Sequence, residues 1–96
     1  MGKKVVIIGA GVSGLSAGIY ALQAGYSVEI YEKNKMPGGE CTGWNRQGYH
    51  IDNCINFLVG CNKDEQLYKM WENLGVISDS FKIYREPYFY CMNMDG

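Results

Sequence analysis

This 96-residue chain has a single histidine, His50, and no Cys-x-x-C pair among its four cysteines, so the ligand spacing of a zinc site is missing. Cys41, Cys54, Cys61 and Cys91 read instead as free thiols of a reducing compartment, with a Cys54–Cys61 redox dithiol as the rarer alternative. Basic residues cluster no further than Lys3-Lys4 and the formal net charge is −1, which removes the electrostatic footprint of a nucleic-acid binder. There is no long apolar run either. Residues 5–24 are interrupted by Gly9, Gly11, Gly14 and Gly18, too broken for a stable membrane span and without the cleavage site of a signal peptide. Met1-Gly2 does not open a myristoylation signal, because position six is Val6 rather than Ser or Thr. The expectation is a cytoplasmic protein without a metal site.

What the chain does have is concentrated at its start. The apolar run Val5-Val6-Ile7-Ile8 meets Gly9-Ala10-Gly11-Val12-Ser13-Gly14. A helical pattern follows, with Leu15, Ile19 and Leu22 at i, i+4 and i+7, and a second strand-like run ends on Glu32. Strand, glycine turn, helix, strand and acid in this order form the dinucleotide fingerprint in the context it requires. The chemistry assigns each part a task. Gly9 permits the turn out of the strand, Gly11 lets backbone approach a pyrophosphate, and Gly14 brings the helix close to the strands. Val12 and Ser13 offer helix N-terminal N–H groups to the phosphates. Glu32 is placed to accept from the hydroxyls of an adenosine ribose, and its charge disfavours a 2′-phosphate, hence NADP. Lys33 follows as a cation at the edge of the same site, or as a solvated loop lysine.

NAD and FAD share the ADP half that this motif reads, so the next segment has to separate them. Beyond Glu32 come Pro37-Gly38-Gly39-Glu40, Thr42, and Gly48-Tyr49-His50-Ile51-Asp52. Over about Lys4 to Gly60 the chain resembles the flavin-dependent family of phytoene desaturases, carotenoid and retinol saturases, and amine oxidases. In that family an acid, a short spacer, a Gly-Gly pair followed by a basic residue, and a later Asp-x-Gly form an extended FAD signature. Two positions depart from it: Glu40 stands where the basic residue is usual, and Cys54 where the last glycine is. The resemblance implies FAD as cofactor, with NAD the alternative, and adds Gly39 and Glu40 to the contacts. It further implies an oxidoreductase moving hydride between flavin and a C–C bond of a small apolar, isoprenoid-like substrate. Two other readings fit the same residues: an NAD-dependent dehydrogenase half-domain, and a non-catalytic scaffold similar to the Rab GDP-dissociation inhibitor. No catalytic acid, base or nucleophile can be named; His50 and Asp52 are polar and near the loop, but a lone histidine reads as a hydrogen-bonded structural residue.

The fold class expected is α/β: a Rossmann-like β-α-β unit over 1–60, with an appended helix and short strands over 61–96. The elements expected are strand Lys4–Ile8, helix Gly11–Ala24 stopped by Gly25, strand Ser27–Glu32, a glycine-rich loop from about Lys33 to Gly48, and a short extended piece at Tyr49–Ile51. A helix is expected over Asp64–Leu74, begun by Asn62 or Lys63 and ended by Gly75, with Leu67, Met70, Trp71 and Leu74 on one face. Trp71 and Tyr68 read as core residues before cofactor-stacking ones. Strands are expected at Phe81–Tyr84 and Tyr88–Met94, and Asp95-Gly96 is a hairpin-turn signal with no return strand. The expectation is a truncated piece of a larger domain, whose open sheet edges favour self-association.

Overall fold

The computed structural model describes residues 2–54 and 57–85 together with Pro87 and Met94. Its residues gather into two compact units, 1–60 and 61–96.

In the first unit β1 (Lys4–Ile8) and β2 (Ser27–Tyr31) pair in parallel, with Lys4 opposite Ser27 and Ile8 opposite Tyr31. Parallel strands need a crossover, and α1 (Val12–Gln23) supplies it. The β-branched strands bury one face only. Val5, Ile7, Val28 and Ile30 are half-buried beneath the helix, while Val6, Ile8, Glu29 and Tyr31 face outward. What lets α1 lie close is small residues. Gly18 is buried, and a Cβ there would stand 3.0 Å from Ile30 Cδ1 and 3.4 Å from Val28 Cγ1. The expected apolar stripe is corrected at one point: Leu22 is exposed, because the helix presents Gly14 and Gly18 to the sheet, with Leu15 and Ile19 flanking them. Gly25 (φ +88) ends the helix, with its N–H on the Leu22 carbonyl and the Tyr26 N–H on that of Ala21, as a Schellman motif requires.

The glycine-rich loop expected up to Gly48 is shorter than that. Residues Gly43–Arg46 form β3, which pairs antiparallel with β4 (Tyr49–Asp52). Gln47 (φ +50) and Gly48 (φ +81) make the two-residue connection, the positive-φ pair that matches the twist of a hairpin. On one face of this hairpin His50 lies between Asn45 (Nδ1 to Oδ1, 2.9 Å) and Asp52 (Nε2 to Oδ1, 3.0 Å).

The second unit holds α2 (Gln66–Asn73), two residues shorter at its start than the pattern implied. Glu65 is its N-cap, and a turn precedes it in which the Glu65 carboxylate accepts from the Asn62 N–H at 3.2 Å. Gly75 (φ +76) ends it by the same Schellman bonds, Gly75 N–H to Glu72 and Val76 N–H to Trp71. Leu67, Trp71 and Leu74 are half-buried, Met70 is exposed, and Ile77, 5 % exposed, is the most buried large side chain of this unit among the described residues. The strand expected at Phe81–Tyr84 is not formed. Phe81 donates to the Ser78 carbonyl to close a turn, and residues 81–85 continue without ladder bonds. Most of the Tyr88–Met94 strand and the Asp95-Gly96 turn, with Cys91, lie outside the described residues.

Candidate functional site

β1 delivers the chain to Gly9, whose φ of +102° is a conformation that residues with a side chain avoid. The Gly9 N–H extends the parallel ladder by donating to the Tyr31 carbonyl at 2.7 Å. Ala10, 4 % exposed, then turns inward, and its N–H donates to Glu32 Oε1 at 2.9 Å. The second oxygen of Glu32 accepts from the Asn34 N–H at 2.8 Å. Those two bonds, Ala10 first, hold the Glu32 carboxyl below the ordinary carboxylate range. The acid expected to grip a ribose therefore also ties down the turn. Each of its oxygens keeps a lone pair for a further donor.

α1 begins directly at this turn. Gly11 is its N-cap, in extended conformation at φ −76°, and no side chain caps the helix. The first helical bond runs from Leu15 N–H to the Gly11 carbonyl at 2.9 Å. The N–H groups of Val12, Ser13 and Gly14 are thus left without an intrahelical acceptor at the positive end of the helix dipole. Gly14 has no room for a side chain: a Cβ there would sit 2.0 Å from the Gly9 carbonyl oxygen.

The Gly-Gly loop is strapped across the same opening. Gly38 N–H donates to the Ala10 carbonyl at 2.8 Å, and Gly11 and Gly38 form a parallel bridge. A Cβ on Gly39 would come within 3.2 Å of Gly11 Cα. The result is a cleft of about 500 Å³ lined by Ile8, Gly9, Gly11, Val12, Ser13, Gly14, Gly38, Glu40 and Cys41. Among the residues named from sequence, Gly9, Gly11, Val12, Ser13, Gly14 and Glu40 line it. Glu32 stands behind the turn, Gly39 packs on Gly11, and the exposed Lys33 is not part of the lining. Sequence reasoning missed three contributors. Gly38 rather than Gly39 carries the bridge, Asn34 supplies the second amide to Glu32, and Cys41 closes the rim. The Gly-Gly pair was the available signal for the first; the other two depend on how the loop folds back.

A backbone-lined cleft with uncapped amides on one side fits a diphosphate, and the adjoining carboxylate fits a sugar diol. The cradle is this tight because Gly14 and Gly39 bring backbone against backbone where a Cβ would collide or crowd. A depression of similar volume in the second unit, around Lys63, Glu65, Tyr68 and Asp79, is of mixed charge and has no glycine in its lining. Among the described residues no group of His, Cys, Asp and Glu is arranged to hold a metal, and no helix is long and apolar enough to cross a membrane.

Residues 7–74 match the family model of the NAD(P)-binding Rossmann-like domain, and the chain belongs to that family. It is similar to a zeta-carotene desaturase of Zea mays, 34 % identical over 94 residues, covering 97 % of this chain and 16 % of that protein. A zeta-carotene desaturase of Synechocystis is 32 % identical over 73 residues, covering 75 % of the chain and 14 % of the relative. A 4,4'-diaponeurosporene oxygenase of Staphylococcus aureus is 40 % identical over 52 residues, covering 54 % and 10 %. The chain spans no more than about a sixth of the length of these relatives.

Proposed function

We propose that this member of the NAD(P)-binding Rossmann-like domain family supplies the ADP-binding part of a flavin-dependent oxidoreductase acting on an apolar, isoprenoid-like substrate. The observation that carries the reading is the cleft at the mouth of α1. Three uncapped amides, a glycine turn without side chains and a carboxylate tied behind it converge on one opening. Gly9, Gly11 and Gly14 keep the backbone bare, Val12 and Ser13 donate to the pyrophosphate, and Gly39 with Glu40 borders the cofactor's far side. Glu32 accepts from the ribose hydroxyls, and Lys33 contributes only a diffuse positive charge. FAD, when bound, supplies the hydride chemistry at its isoalloxazine ring. The protein's part is to hold the ADP end and to aim the ring.

The choice of FAD over NAD rests on the segment after Glu32 and on relatives whose names describe carotenoid desaturation and oxygenation. The choice of substrate class rests on those names alone. The test is the full-length protein purified without added cofactor. A yellow preparation with flavin absorbance, releasing FAD on denaturation, is the expected result. Release of NAD would favour a dehydrogenase, and a colourless protein binding neither dinucleotide would favour the scaffold reading.

A further inference from the structure

Cys41 and Cys54 were unrelated in the sequence, yet the hairpin register sets them face to face. Gly43 pairs with Asp52, and the Asn53 N–H continues the ladder by donating to the Thr42 carbonyl at 2.9 Å. The next pair in that register is Cys41 with Cys54. Counting from the Gln47-Gly48 turn, hydrogen-bonded and non-hydrogen-bonded pairs alternate, so Arg46/Tyr49 is of the first kind and Cys41/Cys54 of the second. Non-hydrogen-bonded partners have Cα atoms about 4.5 Å apart, with side chains on one face. Disulfides span Cα separations of about 4.4–6.8 Å. Both cysteines lie just beyond the ends of β3 and β4, and their thiols are hydrogen-bond neighbours, as that register places them. Asn53 adds a second tie between the arms, its Nδ2 donating to the Glu40 carbonyl at 3.1 Å. Both cysteines are exposed, so a small disulfide can reach them.

We propose that Cys41 and Cys54 form a cross-strand dithiol that closes to an intramolecular disulfide when it meets a low-molecular-weight disulfide such as oxidised glutathione. In the first step a protein thiolate attacks the glutathione disulfide, giving a mixed disulfide and one glutathione thiolate. The facing cysteine, after losing its proton to water, then attacks the protein sulfur of that mixed disulfide and expels the second glutathione. Two electrons pass from the cysteine pair to the glutathione disulfide, yielding one protein disulfide and two glutathione thiols. Cys54 is held protonated more firmly than an ordinary thiol, through desolvation of its sulfur, the neighbouring Cys41 thiol and the Glu40 charge. Closure therefore accelerates as pH rises. Because Cys41 lines the glycine cleft, the bond lies at the rim of that cleft.

The full chain, held dilute in glutathione redox buffer, alkylated, digested and mapped by mass spectrometry, tests this without reference to any nucleotide. The expected product is a Cys41–Cys54 linked peptide pair that persists in a Cys61→Ser/Cys91→Ser double variant. In Cys54→Ser that link is lost, because no second thiol resolves the mixed disulfide, and Cys41 accumulates as its glutathione adduct. Stable glutathione adducts on both Cys41 and Cys54 of the unmodified chain would overturn the proposal. So would links running chiefly to Cys61 or Cys91.

Discussion

At Gly14 the distance of 2.0 Å between an added Cβ and the Gly9 carbonyl oxygen decides the outcome of a substitution. The neighbour is backbone, not a flexible side-chain end, so it cannot swing away. Alanine is a better helix former than glycine by about 1 kcal/mol, but overpacking against fixed atoms costs about 1–3 kcal/mol. Gly14→Ala should lower stability by chemical denaturation and shut the cleft to dinucleotide. Unchanged affinity would mean that helix and turn are not held as closely as described. Glu32 separates two tasks by substitution. Glu32→Ala removes both amide ties and, on the proposed reading, the ribose acceptor, and should weaken adenosine-dinucleotide binding roughly 10- to 100-fold, the scale of a lost charged partner. Its pH dependence has a fixed sign. A carboxyl held lower in the folded chain than in the unfolded one stabilises the turn above about pH 4.3, and that contribution disappears as pH falls through the lower folded value. Protection of the Ala10 amide against exchange should therefore be lost as pH falls through that lowered value, with no such step in Glu32→Ala.

Among the elements, β1, α1 and β2 were legible to within a residue because several local signals agree there: β-branched runs, a glycine turn and a glycine stop. Of the β3–β4 hairpin only the second strand was, as the extended piece expected at Tyr49–Ile51. Gly43-Trp44-Asn45-Arg46 has little β-propensity and no buried face, so no alternation marks it, and both strands are exposed. Its one signal was Gln47-Gly48, a weaker relative of Asn-Gly at the positive-φ positions of the turn. Gln47→Asn should stabilise the hairpin, and Gly48→Ala should destabilise it by about 1 kcal/mol or more. Amide exchange across Asn45 and His50 reads both. The opposite error occurred at Phe81–Tyr84, where alternating apolar residues suggested a strand. Only Ile83 is half-buried there, and the turn bond from Phe81 to Ser78 takes the backbone out of extended pairing. The Cys41–Cys54 pairing was illegible for a further reason. It exists only once the register of an unrecognised hairpin is known. Within the site, the glycines and Glu32 could be read from their spacing, whereas Asn34 and Cys41 enter through loop closure.

On the scale of the whole molecule, the face of the β1–β2 sheet turned away from α1 is exposed. Val6, Ile8 and Tyr31 are 54, 82 and 57 % exposed on it, and no large side chain among the described residues is fully buried. A two-stranded sheet with one covered face is marginal in water. Such a face favours association, so weight-average mass in sedimentation should rise with concentration, while Val6→Lys should stay near 10.8 kDa. A strict monomer at high concentration would contradict that. The measurement that bears most directly on the account is an amide NMR titration of the chain with ADP, the half that both candidate dinucleotides share. The prediction is that resonances of Ala10 to Gly14 and of Gly38 move with ligand while those of α2 stay fixed. Shifts confined to the Lys63–Asp79 depression, or no shift anywhere at saturating ADP, would contradict it.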